Sequence, residues 1–178
     1  MKKVSLFFAL VLVSFISNRA NAQAFEKGAK LLDGGIEIVE SLETSVVPIF
    51  VNFEAGVTED IGVGAKARFW SKYGVNSFAV QALGNYHFGR LFNIPTDKLD
   101  PFAGLAMGFN RFSLSDRYYY YYDDESSLTS FMFSTHAGAR YYFTERFGAM
   151  AKLGVDLYRI DDIGETDVSL ALGVTFKF

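Results

Sequence analysis

From Asp167 to Phe178 apolar residues alternate with small or polar ones without a break. Val168, Leu170, Leu172, Val174, Phe176 and Phe178 share one parity; Ser169, Ala171, Gly173, Thr175 and Lys177 share the other. Side chains of an extended chain point alternately to opposite faces. The run therefore predicts a strand with one apolar face, about as long as a tilted strand needs to cross a bilayer. Seven further runs of the same period precede it: Lys30–Val39, Val47–Val57, Ile61–Ser71, Ser77–Phe88, Pro101–Phe112, Leu128–Phe143 and Phe147–Tyr158. Gly34-Gly35 interrupts the first of them, and no capped helical period lies between any two. Thr58-Glu59-Asp60 and Thr144-Glu145-Arg146 read as tight turns. Gly89–Asp100 and Ser113–Ser127 read as the long connections, and Glu40–Val46, Lys72–Asn76 and Arg159–Thr166 as further loops. The pattern predicts an all-β fold: eight antiparallel strands, joined up and down and closed into a barrel.

The two faces differ sharply. One parity carries Ile36, Ile38, Ile49, Val51, Phe53, Val63, Phe78, Val80, Leu105, Met107, Phe109, Leu153, Val155 and their like, with almost no charge. The other carries Asp33, Glu37, Asn52, Glu54, Lys66, Arg68, Gln81, Asn85, His87, Asn110, His136, Arg140, Lys152, Asp156 and Lys177, mixed with glycines such as Gly104, Gly108 and Gly138. Alternation alone does not say which face is inside, since a soluble lipocalin-like barrel would turn the apolar face inward. Two features favour the inverted form, which lies in a membrane. Glycine serves the polar face poorly on an outer surface but well where side chains from eight strands crowd a narrow lumen. Aromatics also gather at the strand ends, as interfacial girdles do. Tyr86, Phe88, Tyr141, Phe143, Phe147, Phe176 and Phe178 lie at one end, and Phe69, Trp70, Phe78, Phe109, Phe131 and Phe133 nearer the other.

The front of the chain addresses location. A basic Met1-Lys2-Lys3, an apolar run from Val4 to Ile16 and the small-x-small Ala20-Asn21-Ala22 predict a secretory signal peptide over 1–22, leaving a barrel domain over 23–178. Loss of Lys2, Lys3 and Arg19 takes the 17 basic residues to 14 against 20 acidic ones, and the net charge from −3 to −6. That balance, in an exported chain, excludes a nucleic-acid partner. No later apolar stretch is long enough for a transmembrane helix. There is no cysteine, which removes thiolate metal sites and cysteine nucleophiles. A barrel closed in lipid satisfies its backbone around the ring and needs no disulfide.

With an export signal and eight alternating runs in place, the chain resembles the eight-stranded outer-membrane barrel family of OmpA and OmpX type, found in Gram-negative bacteria. The resemblance lies in Gly84-Asn85-Tyr86-His87-Phe88, in Asp100-Pro101-Phe102-Ala103-Gly104-Leu105-Ala106-Met107-Gly108-Phe109, in Gly138-Ala139-Arg140-Tyr141-Tyr142-Phe143 and in Gly173-Val174-Thr175-Phe176-Lys177-Phe178. It implies an outer-membrane location, contact with membrane lipid and lipopolysaccharide, and a monomer. It also implies that Phe176 and the terminal aromatic Phe178 serve as the signal read by the outer-membrane assembly machinery.

The lumen parity is where chemistry would reside. Glu37, Glu54, Lys66, Arg68, His87, His136, Arg140, Lys152, Asp156 and Lys177 carry both signs of charge, and buried charges are expected to pair. An eight-stranded interior is just wide enough for side chains to fill, so the network predicts a plugged, rigid scaffold; the alternative is a narrow ion path lined by the same charges. Ser134 and His136 share a face, and Glu54 or Asp156 could complete a triad. Some eight-stranded outer-membrane barrels are lipid A-modifying hydrolases, but such a site must reach lipid while these side chains point inward. No catalytic, cofactor or metal residue is assigned, and two histidines on separate strands make a poor metal site. The oddest segment is Tyr118-Tyr119-Tyr120-Tyr121-Tyr122-Asp123-Asp124-Glu125. Tyrosine gives large contact area at low entropic cost, so this loop could meet an extracellular ligand or simply continue a hairpin above the membrane. Its acids, with Asp161-Asp162, could also take divalent cations that bridge lipopolysaccharide.

Overall fold

In the computed structural model, residues 24–40, 45–94, 96–114, 127–160 and 163–178 are described. The expected signal segment over 1–22, the loop Tyr118–Glu125 and the acidic pair Asp161-Asp162 lie outside them. The described chain is all strand and turn. In order come β1 (Lys30–Glu40), β2 (Ser45–Val46), β3 (Ile49–Gly56), β4 (Ile61–Lys72), β5 (Val75–His87), β6 (Leu99–Leu114), β7 (Ser127–Tyr142), β8 (Phe147–Ile160) and β9 (Ile163–Lys177). β2 and β3 both pair antiparallel with β1, each later strand pairs antiparallel with the one before it, and β1 pairs with β9 from Leu31↔Lys177 to Glu40↔Val168, so the sheet closes on itself.

The barrel has eight staves, because β2 and β3 are one stave. Val39↔Val46 and Ile36↔Ile49 keep a single register against β1. Only Pro48, which has no N–H to give the ladder, splits the assignment, and its carbonyl still accepts from Glu37 N at 2.9 Å. The stave thus begins two residues before the expected Val47. Gly34-Gly35 leaves β1 unbroken. Gly35 pairs with Gly173 across the closing seam, where a Cβ on Gly35 would stand 2.2 Å from the Leu172 carbonyl oxygen.

The turns at the end holding Ala24 and Phe178 repeat one device. Thr58 Oγ1 accepts from the Asp60 and Ile61 amides, and Thr144 Oγ1 from those of Arg146 and Phe147, so both Thr-Glu-x segments close tightly as expected. At the opposite end two expected loops are shorter. Lys72↔Val75 pair directly around Tyr73 (φ 53°) and Gly74 (φ 78°), the left-handed pair that a two-residue hairpin turn requires. β8 and β9 continue pairing through Arg159↔Gly164 to Ile160↔Ile163, which leaves little of the loop read over Arg159–Thr166.

The faces are inverted relative to a soluble barrel. Leu153, Phe109, Ile49 and Phe131 are more than half exposed, while Arg140, Glu37, Glu54, Asp33 and Asp156 are buried. One girdle residue is displaced: Trp70 shares the parity of Lys66 and Arg68, is half-buried and lines the interior, because its place in the strand, not its ring, decides its face.

Candidate functional site: the charged lumen

Inward residues of β1, β3, β5, β6 and β7 meet in a cluster near the end that holds Ala24 and Phe178. Arg140 of β7 is its centre. Its Nε and Nη2 donate to the two oxygens of Asp33 on β1 at 3.1 and 2.8 Å. Nη2 also donates to Glu54 on β3 at 2.7 Å, and Nη1 to Asp100 on β6 at 3.1 Å. The guanidinium lies 4.3 Å from the centre of the Phe102 ring. A planar fork with several fixed donors can tie three carboxylates at once in this way; an ammonium cannot.

His87 on β5 completes the cluster. Nδ1 stands 2.7 Å from Asp100 Oδ1 and Nε2 stands 2.8 Å from Glu54 Oε1. Asn85 donates to Glu54 Oε2 at 2.9 Å and accepts from His136 Nε2 at 2.7 Å. Phe25, ahead of β1, stacks on His87 and is almost wholly buried. Its segment is pinned by Gly28 N→Gly56 O, Gly56 N→Ala29 O and Lys177 Nζ→Ala24 O.

A second cluster lies further along the lumen. Glu37 of β1 accepts from Lys66 at 3.1 Å and Arg68 at 3.4 Å, both on β4; Arg68 reaches across the barrel to Asp156 of β8 at 2.5 Å. Asn52 donates to Asp33 at 3.4 Å, linking the inward face of β3 to the first cluster. Together the two clusters tie non-adjacent staves across the interior, a role backbone pairing cannot fill.

Of the ten residues expected in a lumen network, Glu37, Glu54, Lys66, Arg68, His87, Arg140 and Asp156 meet in ion pairs. The other three make no ion pair among the described residues. His136 bonds Asn85, Lys152 is buried with its Nζ 5.4 Å from the centre of the Phe50 ring, and half-buried Lys177 reaches the Ala24 carbonyl near the ring of Tyr142. Two participants were not read from the sequence. Asp100 falls at the end of the expected loop Gly89–Asp100, although it shares the inward parity of Phe102 and Gly104. Phe25 belongs to no periodic run and gave no signal. Phe176 and Phe178 are exposed on the outer face and pack edge to face on each other at 5.2 Å. For a hydrolase, Ser134 accepts from Gln81 at 2.7 Å and His136 bonds Asn85. No hydrogen bond joins the two among the described residues.

The architecture can now be set beside known proteins. The N-terminal β-barrel domain of Pseudomonas aeruginosa OprF superposes with a TM-score of 0.55 at 21% identity, covering 85% of this chain and 98% of that one. Neisserial surface protein A gives 0.63 at 17% identity, covering 89% and 100%. The outer membrane protein OprG from Pseudomonas aeruginosa gives 0.57 at 12%, covering 89% and 99%. The fold is that of the eight-stranded outer-membrane barrels. With its apolar face turned outward, it is the fold of a protein seated in an outer membrane, as expected from the resemblance to the OmpA and OmpX type. No family model and no curated protein matches the sequence.

Proposed function

We propose that this chain is a non-enzymatic outer-membrane scaffold with an occluded lumen, which holds its loops rigidly at the cell surface. The observation that carries this reading is Arg140, buried and bonded to Asp33, Glu54 and Asp100 from three other staves. A water-filled path along the axis would have to part those bonds. Buried ion pairs contribute little net stability over apolar packing, so their use here is shape: they fix the interior and hence the spacing of the strand ends. Export through 1–22, assembly through Phe176 and Phe178, contact with lipid and lipopolysaccharide, a monomeric state and ligand contact at Tyr118–Glu125 belong to the same proposal. Planar-bilayer recording of the purified barrel tests it. The scaffold gives a silent membrane, whereas discrete steps that shift on neutralising Lys66 or Arg140 would make it a narrow channel.

A further inference from the structure

Beside Arg68, toward the end away from Ala24 and Phe178, the lumen opens into a cup of about 60 Å³. By the usual allowance for a bound water, that is room for a few water molecules. Three aromatic side chains line it: Trp70 of β4, Phe112 of β6 and Tyr158 of β8. Trp70 and Phe112 meet edge-on at 6.2 Å, and Phe112 and Tyr158 lie 6.3 Å apart. These rings face the interior, so they are no part of the lipid girdle, and the occluded-scaffold reading gives them no task.

The cup also holds a carboxylate whose hydrogen bonding is incomplete. Asp156 and Asp167 are direct cross-strand partners on β8 and β9, an arrangement that disfavours two like charges unless each is met. Asp156 is met by Arg68. Asp167 is met only on one oxygen, where the Tyr158 hydroxyl donates at 2.9 Å. Its other oxygen, Oδ1, is buried with no hydrogen-bond partner, in a residue only 6% exposed that lines the cup. No cation touches Asp167 among the described residues. Arg68 also lines the cup and acts on Asp167 only through space, because its Nη1 is held by Glu37 and Asp156 and its Nη2 lies against the Met132 sulfur.

We propose that this cup binds a small organic ammonium ion, its carbon groups against Trp70, Phe112 and Tyr158 and its charge facing Asp167 Oδ1. Aromatic faces attract a cation through the ring quadrupole, and an aromatic enclosure beside a carboxylate selects an alkylated nitrogen over a hydrated metal. A metal ion would want several oxygen ligands; no group of three acids or histidines able to hold one occurs among the described residues. A sugar would want several free polar partners, whereas of the polar groups lining the cup Arg68 is engaged with Glu37 and Asp156 and Asn110 accepts from Ser77. The proposal does not depend on whether the lumen conducts.

Trp70 is the sole tryptophan, so emission from the folded barrel reports directly on this cup. The barrel in a neutral polyoxyethylene detergent is titrated with choline chloride, against sodium chloride at matched ionic strength and against glucose. The expected result is a saturable change in Trp70 emission with choline alone. Asp167→Asn should weaken the apparent affinity about tenfold or more, as expected for a lost charge-assisted contact. Glu40→Gln, which removes an exposed carboxylate on the outer face of β1, should leave it within about twofold. Folding of each variant is checked by heat-modifiable migration, and Phe112→Leu takes the second arm if Asp167→Asn does not fold. A choline response no different from that of sodium chloride overturns the proposal. So does saturation by glucose, or an unchanged affinity in the substituted cup.

Discussion

His87 lies flat on Phe25, with ring centroids 3.4 Å apart and planes 3° from parallel. The imidazole is held edge-on by Glu54 and Asp100, so the ring offers a fixed platform, and Phe25 brings the segment ahead of β1 onto it. Stacked aromatic pairs add ~0.5–1.5 kcal/mol beyond the area they bury. Phe25→Ala should therefore release that segment without unfolding the barrel. Lys27 is exposed beside it, and tryptic cleavage after Lys27 reads the opening. We expect it to quicken by about tenfold or more, because cleavage of a locally opened segment follows the population of the open form. Unchanged cleavage would mean that the stack contributes nothing to holding the segment.

Arg140 has a harsher prediction. Replacing it with methionine leaves Asp33, Glu54 and Asp100 buried together with His87 as their one basic partner among the described residues. Removing one partner of a buried ion pair costs ~3–5 kcal/mol. Urea-driven unfolding from lipid vesicles should show a loss of that order for Arg140→Met. Adding Glu54→Gln should recover part of it, because residues in one network do not act additively. A double-variant loss equal to the sum of the losses of Arg140→Met and Glu54→Gln alone would show that the cluster is not coupled.

What the sequence made legible follows from what is local. Period-two alternation places each residue on a face, so Arg140, His136 and Gly138 are inward by parity alone, and the eight staves follow. Across the barrel that logic fails. Arg140 bonds Asp33, 107 positions away, because closure of β1 on β9 sets which inward residues share a level, and no short run encodes the stagger. The ring of Trp70 suggests the girdle, but its parity with Arg68 sets it inward. Gly164 reads as loop, yet β8 and β9 pair up to Ile160↔Ile163, since a strand outside the bilayer no longer needs an apolar face to continue. Phe25 could not be found, because its burial depends on the mouth of a barrel that exists only once all eight staves are closed.

The Ser134, His136 constellation carries a negative expectation. Nucleophile and base must share a hydrogen bond, but Ser134 is engaged with Gln81 and His136 with Asn85. Asn85 in turn donates to Glu54, so its Oδ1 is the acceptor and His136 Nε2 carries the proton. His136→Ala should leave lipid A acylation unchanged in cells producing the variant, as measured by mass spectrometry. A changed acylation profile would restore the hydrolase reading.

The lipid-facing assignment rests on residues such as Leu153, midway along β8, 62% exposed and paired with Ala137 on one side and Leu170 on the other. On a barrel in water, arginine there would replace one exposed side chain by a better solvated one, with an effect within ~0.5 kcal/mol. In a bilayer the same position lies near the middle of the hydrocarbon, where arginine costs ~2–4 kcal/mol, falling to ~0–1 near the interface. Tyr141, exposed on β7 at the level of the aromatic rim beside Phe143, supplies the interfacial comparison. Leu153→Arg should therefore lose ~2–4 kcal/mol in urea titrations from lipid vesicles, and Tyr141→Arg markedly less, since the arginine penalty depends on depth. The gradient between the two positions matters more than either value, because a general packing defect would not follow depth. Equal losses at both positions, or none at Leu153, would overturn the placement of this face in lipid.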